Sequence, residues 1–189
     1  MSGGLRSPMR AAVVTLSDKA SVGLRADASG PILVALLREL GAEAAEPLVI
    51  PDEQSRIEQT LVGLADKTGV DLVLTTGGTG LAPRDRTPEA TLAVADRLAP
   101  GFAEAMRSAS LQVTRRAMLS RAVSVVRGKT LIINMPGSPK ACREHFAVIA
   151  PVLDHAIETL RGEAFECAPT DNSIQNEGAA AESGASSDS

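Results

Sequence analysis

Short apolar runs alternate with amphipathic segments from residue 10 to residue 160, and that alternation leaves few architectures open. RAAVVTL at Arg10–Leu16 reads as a buried first strand. Residues 31–40 place Ile32, Leu33, Leu36, Leu37 and Leu40 on one helical face, with Pro31 suited to the first turn and Gly41 to the stop. Leu48–Ile50 reads as the end of a short second strand, halted by Pro51. Asp52 then stands where a helix N-cap belongs, Ile57, Leu61 and Leu64 follow at helical spacing, and Gly69 closes that helix. Residues 70–75 (VDLVLT) are a third strand, apolar along its length as a central parallel strand should be. Thr87-Pro88-Glu89 opens another helix with Thr87 as its cap, and residues 102–111 form a further one. Residues 122–127 and 130–134, joined by Gly128-Lys129, predict a hairpin and therefore one antiparallel strand. The last helical pattern carries Phe146, Ile149, Leu153, Ile157 and Leu160, and Pro151 is predicted to kink or divide it. The sum is an α/β fold: a mostly parallel, doubly wound sheet covered on both faces.

Such sheets bind ligands beyond the carboxyl ends of their strands, near the point where strand order reverses. Four loops leave strand ends here, and all four are rich in reactive or anion-binding residues. They are Ser17-Asp18-Lys19, Pro51-Asp52-Glu53, the stretch from Thr76-Gly77-Gly78-Thr79-Gly80 through Arg84-Asp85-Arg86, and Pro136-Gly137-Ser138-Pro139-Lys140. Three glycines in four residues let a backbone approach a ligand closely and turn N–H groups towards anionic oxygens. The spacing is that of neither a P-loop nor a dinucleotide fingerprint, and a plain tight turn explains it equally well. Asp85 between Arg84 and Arg86 suits a carboxylate holding Mg²⁺ while arginines grip phosphate; a solvated charge cluster is the alternative. Asp52 suits either a helix cap or a metal ligand, or both at once through its two oxygens. Ser17, Asp18 and Lys19 fit a strand-ending turn as well as a binding loop. Ser138 with the helix start after it is a plausible phosphate seat or a rigid turn.

Composition narrows the function classes. Aromatic residues make up 2% of the chain, with no Trp or Tyr, which argues against a single-strand nucleic-acid platform. Removing the six acids beyond Gly162 from a net charge of -4 leaves a body of +2, suited to small anionic ligands. The 189 residues divide into a flexible segment 1–8, one domain at 9–162 and an acidic, disordered tail at 163–189. Cys142 and Cys167 have no metal-ligand or CxxC spacing. With no apolar run of about 18 residues and no signal-peptide pattern, a cytoplasmic protein without membrane contact is expected. His145 and His155 both fall on the last helix and are given no chemistry, so no His-based triad is evident. That absence constrains the reaction class: a mechanism whose nucleophile is already anionic, such as a phosphate monoester with a second pKa of about 6, needs no strong base.

At these loops the chain resembles a known family. LTTGGTG at 74–80, RDRTPEAT at 84–91 and NMPGSPKA at 134–141 are similar to the molybdopterin adenylyltransferases, the Mog-type proteins of the Mog/MoaB molybdenum-cofactor group. TLSDKASVG at 15–23, IPDEQ at 50–54 and PGFAEAMR at 100–107 fit the same pattern, and the resemblance spans about residues 9 to 162. It implies a three-layer α/β/α fold assembled as a homotrimer. It also implies ATP-dependent, Mg²⁺-assisted adenylylation of molybdopterin ahead of a molybdate-insertion protein. The family's important carboxylates fall on Asp52 and Asp85, which the resemblance makes catalytic and metal-binding. Its substrate-lining loops fall on Gly77, Gly78, Thr79, Gly80, Pro136, Gly137, Ser138 and Pro139. Two rival readings are a non-catalytic molybdopterin-binding module of the same fold and a nucleotide-diphosphate hydrolase like the competence-damage-type relatives.

Overall fold

The computed structural model describes residues 8–163. The segment 1–7, the tail from Ala164 and Cys167 lie outside the described residues, so the readings made of them above are not addressed further. In chain order the elements are β1 (Arg10–Leu16), α1 (Asp18–Ser21), α2 (Gly30–Glu39), β2 (Glu43–Ala44), β3 (Leu48–Ile50), α3 (Gln54–Val62), β4 (Leu72–Thr76) and α4 (Thr87–Ala93). β5 (Arg97–Leu98), α5 (Gly101–Leu111), β6 (Ser124–Arg127), β7 (Thr130–Met135) and α6 (Pro139–Arg161) complete them. A π-helical stretch at Gly63–Thr68 extends α3 and ends on left-handed Gly69, and a 3-10 turn occupies Arg115–Leu119.

The strands form one sheet in the order β2-β1-β4-β7-β6-β5, with β3 also pairing β1. β6 runs against both β7 and β5, while the pairs among β1, β2, β3, β4 and β7 are parallel. One strand is therefore reversed, as the Gly128-Lys129 connection predicts. β4 and β7 are buried at every position, because both faces of the sheet centre are covered. On one face Leu33, Leu37, Met106, Phe146, Ile149 and Leu153 of α2, α5 and α6 pack on Val13, Leu72, Leu131 and Ile133. On the other, Ile57 and Leu61 of α3 and Ala90 of α4 pack on Val14, Val73, Val125 and Ile132. This is the three-layer arrangement.

From β1 the chain crosses by α2 to β2 and β3 on one side, then returns by α3 to β4 on the other. Strand order thus reverses between β1 and β4, and the crevice beyond their carboxyl ends is the switch point of the sheet. The register Thr15↔Thr76 brings Ser17 and Gly77, the first residues of two loops, to that crevice together.

Three local expectations are corrected. Asp52 does not cap α3: the cap position is Glu53, which makes no side-chain cap bond, and the Asp52 carboxylate turns to the backbone N–H of Asp18 at 3.0 Å. Thr87 is not a cap either, but the first residue of α4; it is buried, and its hydroxyl donates to the Gly77 carbonyl at 2.9 Å. α6 is not divided at Pro151 and runs through it for 23 residues. Pro151 sits on the exposed side, where water can satisfy the carbonyl it orphans, while Phe146, Ile149, Leu153 and Ile157 hold the opposite side to the sheet.

Candidate functional site

A cavity of about 460 Å³ opens at the switch point. Ser17 after β1 and Asp18 and Lys19 at the start of α1 line it, the loop after β3 supplies Asp52, and the loop after β4 supplies Gly77, Gly78 and Asp85. Gly137 enters from the loop after β7 and Pro139 from the start of α6. Four separate strand ends thus converge, as the sheet topology requires of loops on its carboxyl edge.

The glycine loop is held by its neighbours. Gly77 and Gly78 have φ of 101° and 62°, left-handed values that an L side chain rarely adopts. A Cβ at Gly77 would strike the Leu16 carbonyl, and one at Gly78 would strike the Thr87 hydroxyl while standing 3.1 Å from Asp52 Oδ1. A Cβ at Gly80 would stand 2.8 Å from Asp85 Oδ2. Each of the two carboxylates therefore lies against the open face of a glycine in the same loop. Thr76 fixes the loop's start by donating to the Pro136 carbonyl at 2.7 Å.

Charge at this edge is arranged in two tiers. Asp18 is gripped bidentately by Arg84, Nε to Oδ2 at 3.0 Å and Nη2 to Oδ1 at 2.7 Å, and that contact with the guanidinium holds its carboxyl below the ordinary range. Asp18 Oδ1 also accepts the Asp52 backbone N–H at 3.0 Å, so the two loops exchange reciprocal bonds. Asp52 goes the other way: burial, with added repulsion from Asp18 and Asp85, raises its pKa despite the Asp18 N–H. Asp85 Oδ2 accepts the Ala82 N–H at 2.9 Å.

Among the described residues no group of three or more His, Cys, Asp or Glu side chains is arranged to hold a metal ion. What the chain offers a cation is a pair of carboxylates, one of them destabilised as an anion. Mg²⁺ characteristically takes one or two protein carboxylates and completes its shell with phosphate oxygens and water. The donor set fits that pattern.

Not every residue singled out from the sequence joins the cavity. Arg84 lines the adjoining open cleft with Asp52, Glu53 and Arg86, its guanidinium occupied by Asp18. Thr79, within the loop, is buried. Ser138 caps α6 by accepting the Ala141 N–H at 3.2 Å, and Lys140 pairs with Glu144 one turn along that helix. Pro136 contributes a carbonyl to the framework rather than a wall. Conversely, Arg25, Asp27 and Ser29 line the cavity although no motif pointed to them, and so does Thr15, which opens the TLSDKASVG stretch but was given no role. Asp27 accepts the Thr15 hydroxyl at 2.7 Å and the Ser29 and Gly30 N–H groups, and Ser29 donates to the Gly137 carbonyl at 2.8 Å. The available signal was the run Asp27-Ala28-Ser29-Gly30-Pro31, an acid-and-glycine turn directly before a helix.

Comparison with known proteins points the same way. The family described as "Probable molybdopterin binding domain" matches residues 12–155. The chain is 51% identical over 138 residues to a protein of Haemophilus influenzae named molybdopterin adenylyltransferase, covering 72% of this chain and 70% of the relative. It is 50% identical over 175 residues to the Escherichia coli K12 protein of that name, covering 85% of this chain and 90% of the relative. The solved structure of MoaB from Thermus thermophilus, described as a molybdopterin biosynthesis enzyme, aligns with a TM-score of 0.78 at 46% identity. That alignment covers 84% of this chain and 99% of the Thermus chain.

Proposed function

The chain belongs to the family of molybdopterin-binding domains, and from that premise we propose that it transfers AMP from ATP to the terminal phosphate of molybdopterin in molybdenum-cofactor biosynthesis. A terminal phosphate oxygen forms a bond to the α-phosphorus of ATP. The bond from that phosphorus to the bridging oxygen of the β-phosphate breaks, and pyrophosphate leaves. The nucleophile is already anionic, so the absence of a histidine base from the cavity lining is no obstacle.

The observation that carries this reading is that Asp52 and Asp85 line one cavity at the switch point of the sheet, each against a glycine of the same loop. Asp52 and Asp85 are the residues that would hold Mg²⁺, which when bound neutralises charge on the triphosphate. The chain's own groups position the reactants. The Gly77-Gly78 turn admits phosphate oxygens close to the backbone, and the reciprocal Asp18–Asp52 bonds fix the β1 and β3 loops across the site. Lys19 and Arg25 bring positive charge to the cavity rim, where phosphate charge gathers. A homotrimer and delivery of the adenylylated product to a molybdate-insertion protein are part of the same proposal, supported by the family resemblance.

Incubation with ATP, Mg²⁺ and molybdopterin tests it. Pyrophosphate and a molybdopterin–AMP adduct should appear one for one. Binding of the pterin with no adduct would instead make the chain a non-catalytic module, and AMP release without adduct would make it a hydrolase.

A further inference from the structure

Arg121 lies between the 3-10 turn and β6, outside the loops to which the chemistry has been assigned. Its Nε donates to the Gly80 carbonyl at 2.7 Å and its Nη2 to the Asp85 carbonyl at 2.5 Å, while Nη1 pairs with the Glu89 carboxylate on α4. Its own backbone N–H donates to the Thr79 carbonyl at 2.9 Å. One residue thus fastens both ends of the segment that carries Asp85, and ties it to a helix.

The segment between these anchors needs them. Leu81, Ala82, Pro83 and Arg84 are exposed and belong to no helix or strand. The turn closes on itself through the Asp85 N–H to the Ala82 carbonyl and the Ala82 N–H to the Asp85 carboxylate. Such a turn fixes the shape of the segment, but not where that segment stands relative to Asp52. A planar guanidinium does, because its donors leave in fixed directions and reach two carbonyls and a carboxylate at once.

We propose that Arg121 is a positioning residue that sets the place of the Asp85 carboxylate opposite Asp52. The inference rests on the reading of Asp85 as a ligand-facing group. A lysine at this position keeps the charge opposite Glu89 but cannot span the Gly80 and Asp85 carbonyls in the same plane. The substitution R121K therefore separates geometry from charge.

The test uses the full chain carrying R121K, R121Q, E89Q or D85N, assayed with ATP, Mg²⁺ and molybdopterin. Displacing a reacting group by about 1 Å costs on the order of 100-fold, so R121K is expected to lower kcat by about 10- to 100-fold with little change in the KM for ATP. Amide hydrogen exchange should quicken across residues 81–86 and stay slow in β4 and β7. E89Q keeps the fork on both carbonyls and should lose less. Should R121Q fail to fold, R121K decides. A wild-type kcat and unaltered exchange at 81–86 in R121K would overturn the proposal, as would exchange that quickens uniformly with activity tracking melting temperature. An inactive D85N beside a normal R121K sinks this inference alone; a fully active D85N sinks the reading beneath it.

Discussion

Asp52 shows how a single residue can carry a cost in the folded state. Its carboxylate is held where burial and two neighbouring acids disfavour its charge. A folded-state pKa raised above the unfolded value means that the native state binds the proton more tightly. Stability is then lost as pH rises from the ordinary carboxylate range through the raised pKa, and the penalty persists at neutral pH. D52N is therefore expected to melt above wild type at pH 7, with the difference shrinking towards pH 4; thermal melts across that range check it. The same substitution, and D85N, should lower kcat by about 100-fold or more with the fold intact. Both residues were singled out in the sequence and both line the cavity, but the bond that Asp52 makes was not foreseen. Capping is a local rule, whereas the N–H it accepts is 34 residues away. Thr15 opens the TLSDKASVG stretch, yet its contact was not foreseen for a related reason: inside an apolar run a threonine reads as a strand former, and nothing local reveals that its hydroxyl meets Asp27.

At the level of elements, the existence of the long ones was legible and that of the shortest was not, although α6 was wrongly expected to divide at Pro151. β1, β4, β7 and α6 announce themselves through continuous apolar runs or a sustained helical face. β2, β5 and α1 are two to four residues each, too short for any periodicity, and exist through their partners. Thr87 marks the junction of two elements: its buried hydroxyl ties the first turn of α4 to the glycine loop. T87A is expected to cost about 1–2 kcal/mol, through the orphaned Gly77 carbonyl, and to slow turnover by loosening the loop. Chemical denaturation and steady-state rates measure the two effects. At the opposite edge, Asp71 and Arg161 pair bidentately at 2.9 and 2.7 Å with both side chains only 12% exposed, joining the start of β4 to the end of α6. D71A should cost about 3 kcal/mol or more in stability and leave kcat unchanged, because the pair lies at the far end of the strands from the site.

For the whole molecule, the class of fold followed from alternation, yet strand order did not. Nothing in the spacing of apolar runs says that β4 inserts between β1 and β7, or that the reversal falls between β1 and β4. That reversal decides which loops meet, and it explains how four ordinary turns become one cavity. Assembly belongs to this scale too: sedimentation equilibrium is expected to return three chain masses, and a single chain mass would remove the trimer. The central claim is that Asp52 and Asp85 act as one unit, and a double-mutant cycle on single-turnover adduct formation tests it most directly. If they share one task, D52N/D85N should be no slower than the slower single variant, since losses within a unit do not add. Losses that multiply, or wild-type rates in both singles, would contradict the shared site.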